Sequence, residues 1–191
     1  MKSTNLTEQE SLQIIKKMVD KAKGNVGDDA IFYLLWGWLV LSASIIHFTL
    51  NYIGNPYFWS VWPVLMTIGG IASGIIGANK AKKQPTRGYI DKLMGYLWGG
   101  FIITLLIVLS QARIFGWNYA YAIMISLYGL ATFISGGVLN FKPLIYGGIS
   151  AWILSIISFY VPMNWVVLLV GLSMITSYLI PGYMLKNKYH G

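Results

Sequence analysis

Charged positions in this chain fall in clumps, and between the clumps run long stretches without an Asp, Glu, Lys or Arg. Six such stretches occupy 31–53, 58–78, 93–112, 117–138, 143–161 and 164–184. A bilayer hydrocarbon core is about 30 Å thick, which takes roughly 20 helical residues at 1.5 Å each. The stretches are of that size. None alternates apolar and polar residues as a barrel strand must, and unpaired backbone amides are not tolerated in lipid, so each predicts a helix. The pattern therefore predicts an all-α, polytopic membrane protein with a six-helix transmembrane domain over 31–184. Its first run begins only at residue 31 and is long enough to span, which predicts a retained helix rather than a cleaved signal peptide.

Ahead of the first run, the cytoplasmic segment 1–30 carries "LTEQESLQIIKKMVDKAKGN". Thr7 followed by Glu10 fits a capping box and Gly24 fits a helix stop, so an amphipathic helix is predicted over about 7–24. Leu12, Ile14, Ile15, Met18, Val19 and Ala22 share one arc of that helix, with Lys17 and Lys21 at one margin and Lys16 and Lys23 at the other. Lysines at both margins can lay their stems on apolar surface and keep their ammonium groups among phosphates, which suits a helix lying on a membrane. Docking on the bundle's own end, or on a cytoplasmic protein partner, would use the same arc.

An internal repeat organises the six runs. Trp36-Gly37 aligns with Trp98-Gly99, carrying Leu35 onto Leu97 and Asp29 onto Asp91, and Tyr146-Gly147 marks a third copy. Even-numbered runs carry "GIAS" at 70–73, "GLAT" at 129–132 and "GLSM" at 171–174. The chain thus reads as three consecutive helical hairpins. Lipid gives apolar helices little reason to associate, so small residues that admit close approach mark contact faces. Gly70 with Gly74, Gly95 with Gly99, Gly147 with Ala151, and the glycines Gly129 and Gly171 are the predicted packing positions. Trp36, Trp38, Trp98 and Tyr146 are expected at the headgroup level as anchors. Asp29 and Asp91 are expected to cap the helices that follow them.

The three short hairpins, their even-helix glycines and the outer turns "GNPYFW", "FGWNY" and "VPMNW" resemble the HdeD-like family of acid-resistance membrane proteins. That resemblance, which covers 31–184, implies a six-helix inner-membrane protein linked to acid stress and brings no active site with it. The amphipathic segment followed by "LLWGWLVL" departs from that family and is similar to an uncharacterised group of small bacterial membrane proteins.

The net charge is +8, yet its placement speaks of topology rather than nucleic acid. Lys2, Lys16, Lys17, Lys21 and Lys23 precede the first run; Lys80, Lys82, Lys83, Arg87 and Lys92 fill the second connection; Lys142 lies in the fourth, and Lys186 and Lys188 in the tail 185–191. Connections on the opposite side contain a single base, Arg113. The positive-inside rule then predicts that both termini face the cytoplasm, with anionic headgroups as counter-charge; that the membrane is a bacterial inner membrane is what the resemblance implies. The bilayer is the expected partner, with a homo-oligomer and a cytoplasmic protein as further partners to test, and no nucleic acid.

Chemistry is sparse. Of the six carboxylates, Glu8, Glu10, Asp20, Asp28 and Asp29 precede the first run and Asp91 lies between two runs. Cysteine is absent, and the two histidines, His47 and His190, are predicted on opposite sides of the membrane, so no catalytic residue, metal site or cofactor is expected. His47, with Ser44 and Asn51 at helical spacing, is the one side chain inside a run that titrates near neutral pH. It reads either as interhelical hydrogen-bonding glue or as a polar, proton-sensing site. Arg113, with Gln111, reads either as an interfacial snorkeller or as an outer anion contact. These features point to a non-enzymatic membrane protein of structural, stress-response or regulatory type, with a channel or facilitator for a small neutral solute as the alternative.

Overall fold

The computed structural model describes the backbone of residues 8–83 and 88–190, and side chains over 30–82 and 88–188. Among the described residues every regular element is helical: α1 (Glu8–Tyr52), a 3₁₀ turn (Phe58–Ser60), α2 (Val61–Lys83), α3 (Tyr89–Phe115), α4 (Trp117–Val138), α5 (Lys142–Ser158), α6 (Met163–Met174), a π-helical turn (Ile175–Leu179) and α7 (Ile180–His190). Five stretches are long and apolar enough to cross a membrane: Ala30–Tyr52, Phe58–Lys82, Tyr89–Phe115, Trp117–Val138 and Met163–Lys188. The remaining apolar helix, α5, has 17 residues and ends at Ser158, short of the predicted 161.

The helices stop where the chain supplies residues that can leave helical geometry. Gly116 alone joins α3 to α4, at φ 97°, with its N–H bonded to the Ala112 carbonyl at 2.9 Å. Asn140, at φ 49°, turns α4 into α5 while the Phe141 N–H returns to the Gly136 carbonyl. Asparagine tolerates that left-handed region better than other side chains. The π turn is explained by Pro181, which offers no N–H and whose ring crowds the carbonyl one turn back. The ladder slips by one residue ahead of it, so that the Ile180 N–H bonds the Ile175 carbonyl.

Two seams hold the bundle. Along the first, α1 runs antiparallel to the rod formed by α6, the π turn and α7: Gly171 lies on Ser44 and Leu41, Gly37 on Leu179 and Tyr178, and Gly182 on Leu34 and Tyr33. Along the second, α4 and α5 meet backbone to backbone. A methyl added at Gly148 would stand 2.7 Å from the Gly129 carbonyl oxygen, and one at Gly136 would stand 2.7 Å from the Ile145 nitrogen. Gly147 then joins the seams, fitting α5 against the backbone of Ser177 and Thr176. The end holding Ala30 and Leu185 is the terminal end; the other, with Gly54, Gly116 and Pro162, is the loop end. The flanking helix α2 leans on α1, and α3 on α4, and the backbones of α2 and α3 stay apart.

Several expectations are corrected. Gly24 does not stop the first helix; α1 passes through it as one 45-residue helix, since one glycine costs an internal helix only about 1 kcal/mol. Thr7 lies outside the described residues. Asp29 falls inside α1, so the helix start it was expected to cap is not at that position. Asp91 does cap, accepting the Gly88 N–H at 3.0 Å. Gly129, Gly147 and Gly171 lie at close helix contacts, whereas among the described residues nothing comes within 4 Å of a methyl added at Gly70, Gly74, Gly95 or Gly99. The reason lies in the choice of face: α2 meets α1 through Gly69, tucked beneath Leu39 and Trp36, and through Ser73, which accepts the Trp36 Nε1–H at 3.0 Å. Trp36 and Trp98 are accordingly part of the packing rather than headgroup anchors, while Trp38 and Tyr146 remain exposed.

The two kinds of glycine separate in a thermal unfolding experiment on the detergent-purified protein. Gly148→Ala is expected to lose about 1–3 kcal/mol through overpacking, and Gly74→Ala to stay within about 0.5 kcal/mol of the parent. Equal effects would contradict the seam assignment.

Candidate functional site

Because α2 and α3 diverge, the loop-end half of the protein contains a cavity of about 920 Å³, walled by α1, α2, α3, α4 and α6. This lies within the roughly 300–1,000 Å³ typical of small-molecule pockets. Towards the loop end the lining includes His47, Asn51 and Arg113 among the rings of Phe58, Trp59, Trp62, Trp117 and Tyr121. Deeper in, it is Met66, Leu105, Leu109, Met124, Tyr128 and Val170. Its α4 wall from Trp117 to Tyr128 is about 16 Å long at 1.5 Å per residue, close to half of a bilayer's roughly 30 Å hydrocarbon core.

His47 is the most constrained polar residue of this wall. It is 2% exposed, and its Nδ1 accepts the Trp62 Nε1–H at 2.7 Å. An indole N–H can only donate, so Nδ1 must hold a lone pair and the neutral ring carries its proton on Nε2. Nε2 is buried and has no hydrogen-bond partner among the described residues. Aromatic rings fix the imidazole edge-on: Phe58 at 4.9 Å, Trp62 at 6.1 Å and Tyr121 at 6.2 Å between centroids. The local sequence builds this arrangement. Gly54 turns the chain at φ 74°, the Asn55 side chain accepts the Tyr57 N–H at 2.8 Å, and the short 3₁₀ turn brings Phe58 over His47.

Arg113 stands in the last turn of α3, exposed, where its charge also opposes the negative end of that helix. Every carboxylate of the chain lies at or before Asp91, and Asp91 belongs to the opposite end of α3. The guanidinium thus has no counter-charge from its own chain at the loop end.

The cavity brings together His47, Asn51 and Arg113, and it separates them from the two residues grouped with them by sequence. Ser44 turns away and donates to the Val167 carbonyl of α6. Gln111 is exposed and donates to Ser110 at 3.2 Å. Asn51 is partly committed as well, since its amide donates to Asn164 at 2.7 Å and ties α1 to α6. Trp62, Tyr121 and the methionine walls escaped the sequence reading, because nothing in one helix's spacing shows which aromatic residue will stand opposite a histidine. The surface-helix residues Leu12, Ile15, Lys16, Lys17, Met18, Val19, Lys21 and Lys23 have side chains outside the described set.

Towards the terminal end the cavity meets a layer of aromatic rings. Phe101 lies 5.3 Å from Tyr128, Tyr128 5.9 Å from Tyr178, Tyr178 5.7 Å from Tyr33, and Tyr33 6.0 Å from Trp98. Among the described residues no three His, Cys, Asp or Glu side chains converge. The polar groups of the cavity include two donor groups, the His47 Nε2–H and the Arg113 guanidinium, beside the Asn51 amide, whose N–H is engaged with Asn164. Such a set can hold an acceptor-rich or anionic group.

Nitrogen-15 NMR of histidine-labelled protein checks the His47 tautomer, with His190→Gln to assign the signals. We expect a neutral ring protonated at Nε2, and expect Trp62→Phe to move the Nδ1 resonance towards the value of a free imine nitrogen while costing about 1 kcal/mol of stability. Protonation at Nδ1 would contradict the assignment. No family model, curated protein or solved structure matches the chain.

Proposed function

We propose that the chain is a non-enzymatic regulatory membrane protein that takes an amphiphilic molecule from the bilayer into the cavity between α2 and α3. The observation that carries this reading is the cavity itself: about 920 Å³, with its charged and polar residues towards the loop end and apolar residues below. That gradient parallels a lipid leaflet, polar at the surface and apolar within. The separation of α2 from α3 supports an entrance from the side, since a molecule dissolved in the bilayer meets no packed helix pair there.

In this reading the protein crosses the bacterial inner membrane six times. The 17 residues of α5 extend about 26 Å, close to the thickness of the hydrocarbon core. An even number of crossings puts both termini on one side, and the lysine-rich connections argue for the cytoplasm. The cavity then opens in the outer leaflet. A route for the output is supplied by α1, which carries His47 in the cavity wall and continues without a break to Glu8, through the basic amphipathic stretch.

The facilitator reading gains little from the buried hydroxyls. Ser155 donates to the Ala122 carbonyl, Ser158 to Leu154, Ser173 to Val170 and Ser177 to Ser173, so these groups are occupied with backbone oxygen rather than lining a path. The aromatic layer at the inner side of the cavity also opposes passage.

Native mass spectrometry after gentle extraction tests the proposal. The parent protein is expected to retain a small molecule that Leu105→Trp, which fills the apolar part of the cavity, does not. Liposomes containing the protein are expected to take up small neutral solutes no faster than empty ones. Uptake that His47→Ala abolishes would replace this reading with the facilitator.

A further inference from the structure

Resting on the reading of the cavity as a pocket for a bilayer amphiphile, we infer that its ligand is a single-chain anionic amphiphile with a compact head, of the fatty carboxylate class, with the head held by Arg113 and His47. Three features of the molecule lead there. The first is charge: Arg113 lines the cavity, and no carboxylate of the chain lies beyond Asp91 to neutralise it. A ligand that supplied the missing negative charge would form charge-assisted hydrogen bonds with the guanidinium.

The second is the orphan donor. The Trp62 hydrogen bond commits His47 Nδ1 and leaves an Nε2–H with no acceptor among the described residues. A buried donor of this kind favours any acceptor that can reach it. Neighbouring side chains cover Nε2, so a head oxygen reaches it when a ring moves aside. Phe58 is the nearest ring, 4.9 Å away, and sits on a three-residue turn rather than within a helix. A carboxylate suits these two donors because its two oxygens are small and unencumbered and each has more than one lone pair to offer. A phosphodiester flanked by glycerol is bulkier at the same point.

The third is depth. Below the polar residues the wall is Met66, Leu105, Leu109 and Met124, and the floor is Tyr128. The α4 wall of about 16 Å suits one chain of leaflet length, and methionine side chains adapt to an unbranched, mobile tail.

The probes are a brominated eighteen-carbon carboxylate, the matching brominated alcohol, and brominated phosphatidylglycerol, added to the full-length protein in nanodiscs of zwitterionic lipid. Bromine quenches tryptophan on contact, and Trp59, Trp62 and Trp117 line the cavity. The carboxylate is expected to quench in a saturable manner, with the alcohol about tenfold weaker. Arg113→Gln is expected to bring the carboxylate down to the level of the alcohol, with Arg113→Lys in between. His47→Phe should weaken both probes, and His47→Gln, which restores a donor, should recover part of the loss. If carboxylate and alcohol bind the parent equally and Arg113→Gln changes neither, the anionic assignment is overturned while the pocket stands. Phosphatidylglycerol quenching as saturably as the carboxylate overturns the single-chain assignment. If no probe saturates, the pocket itself is refuted, and the inference with it.

Discussion

In a bilayer, apolar side chains gain almost nothing by leaving lipid for another helix, so a helical membrane protein coheres where its backbones can touch. This chain meets that constraint through a small set of glycines. Gly129, Gly136 and Gly148 bring α4 and α5 to contact distance, and Gly37, Gly171 and Gly182 do the same for α1 and the α6–α7 rod. Gly147 locks the two pairs into one unit over the π turn that Pro181 imposes. Dispersion summed over such close surfaces, together with serine hydroxyls that bond across them, is what replaces the hydrophobic drive of a soluble core. Ser155 on Ser126 and Ala122, and Ser44 on Val167, are the clearest of these crossing bonds.

The same constraint explains the cleft. The backbone of α2 approaches only α1 and the 3₁₀ turn, and that of α3 only α4, and among the described residues no other element comes within 4 Å of a methyl added at Gly70, Gly74, Gly95 or Gly99. A gap between helices is tolerable in lipid because its walls stay apolar, as the leucines and methionines of the cavity are. Only at the loop end does polarity enter. There the Trp62–His47 bond satisfies one nitrogen of the imidazole and strands the other, while aromatic edges fix the ring. The binding reading follows from this contrast between a tightly closed four-helix centre and an open flank.

Electrostatics adds direction to that flank. Arg113 is the one base on its side of the predicted topology, and the absence of any carboxylate after Asp91 is a property of the whole chain. A lone cation at a membrane surface is ordinarily neutralised by lipid phosphate. What distinguishes this one is its place in the wall of a largely apolar cavity that is also lined by His47, whose buried Nε2 has no acceptor among the described residues. Continuity of α1 matters for the same site. A stop at Gly24 would have separated the amphipathic stretch from the bundle, whereas one uninterrupted helix makes any tilt of α1 at His47 a displacement at its far end.

By itself the sequence determined which stretches are helical and apolar. Charge-free runs of membrane length dictate helices because lipid offers no partner for bare amides, and five of the six predicted runs match, to within a few residues, helical stretches long and apolar enough to cross a membrane. It also marked Asp91 as a cap for α3, a bond made within one turn, although the same reading at Asp29 failed because α1 runs through that residue. Tertiary structure decided everything that depends on which helix covers which face. Small-residue spacing marked Gly70 and Gly95 as readily as Gly129 and Gly147, but only the assembled bundle selects the second pair. His47, Ser44 and Asn51 share one side of α1 by spacing, yet they part company because α2 presents Trp62 to the first and α6 presents Val167 and Asn164 to the others. Periodicity is a local property, fixed by 3.6 residues per turn. A cavity between helices is a property of their mutual distances, which no single helix records.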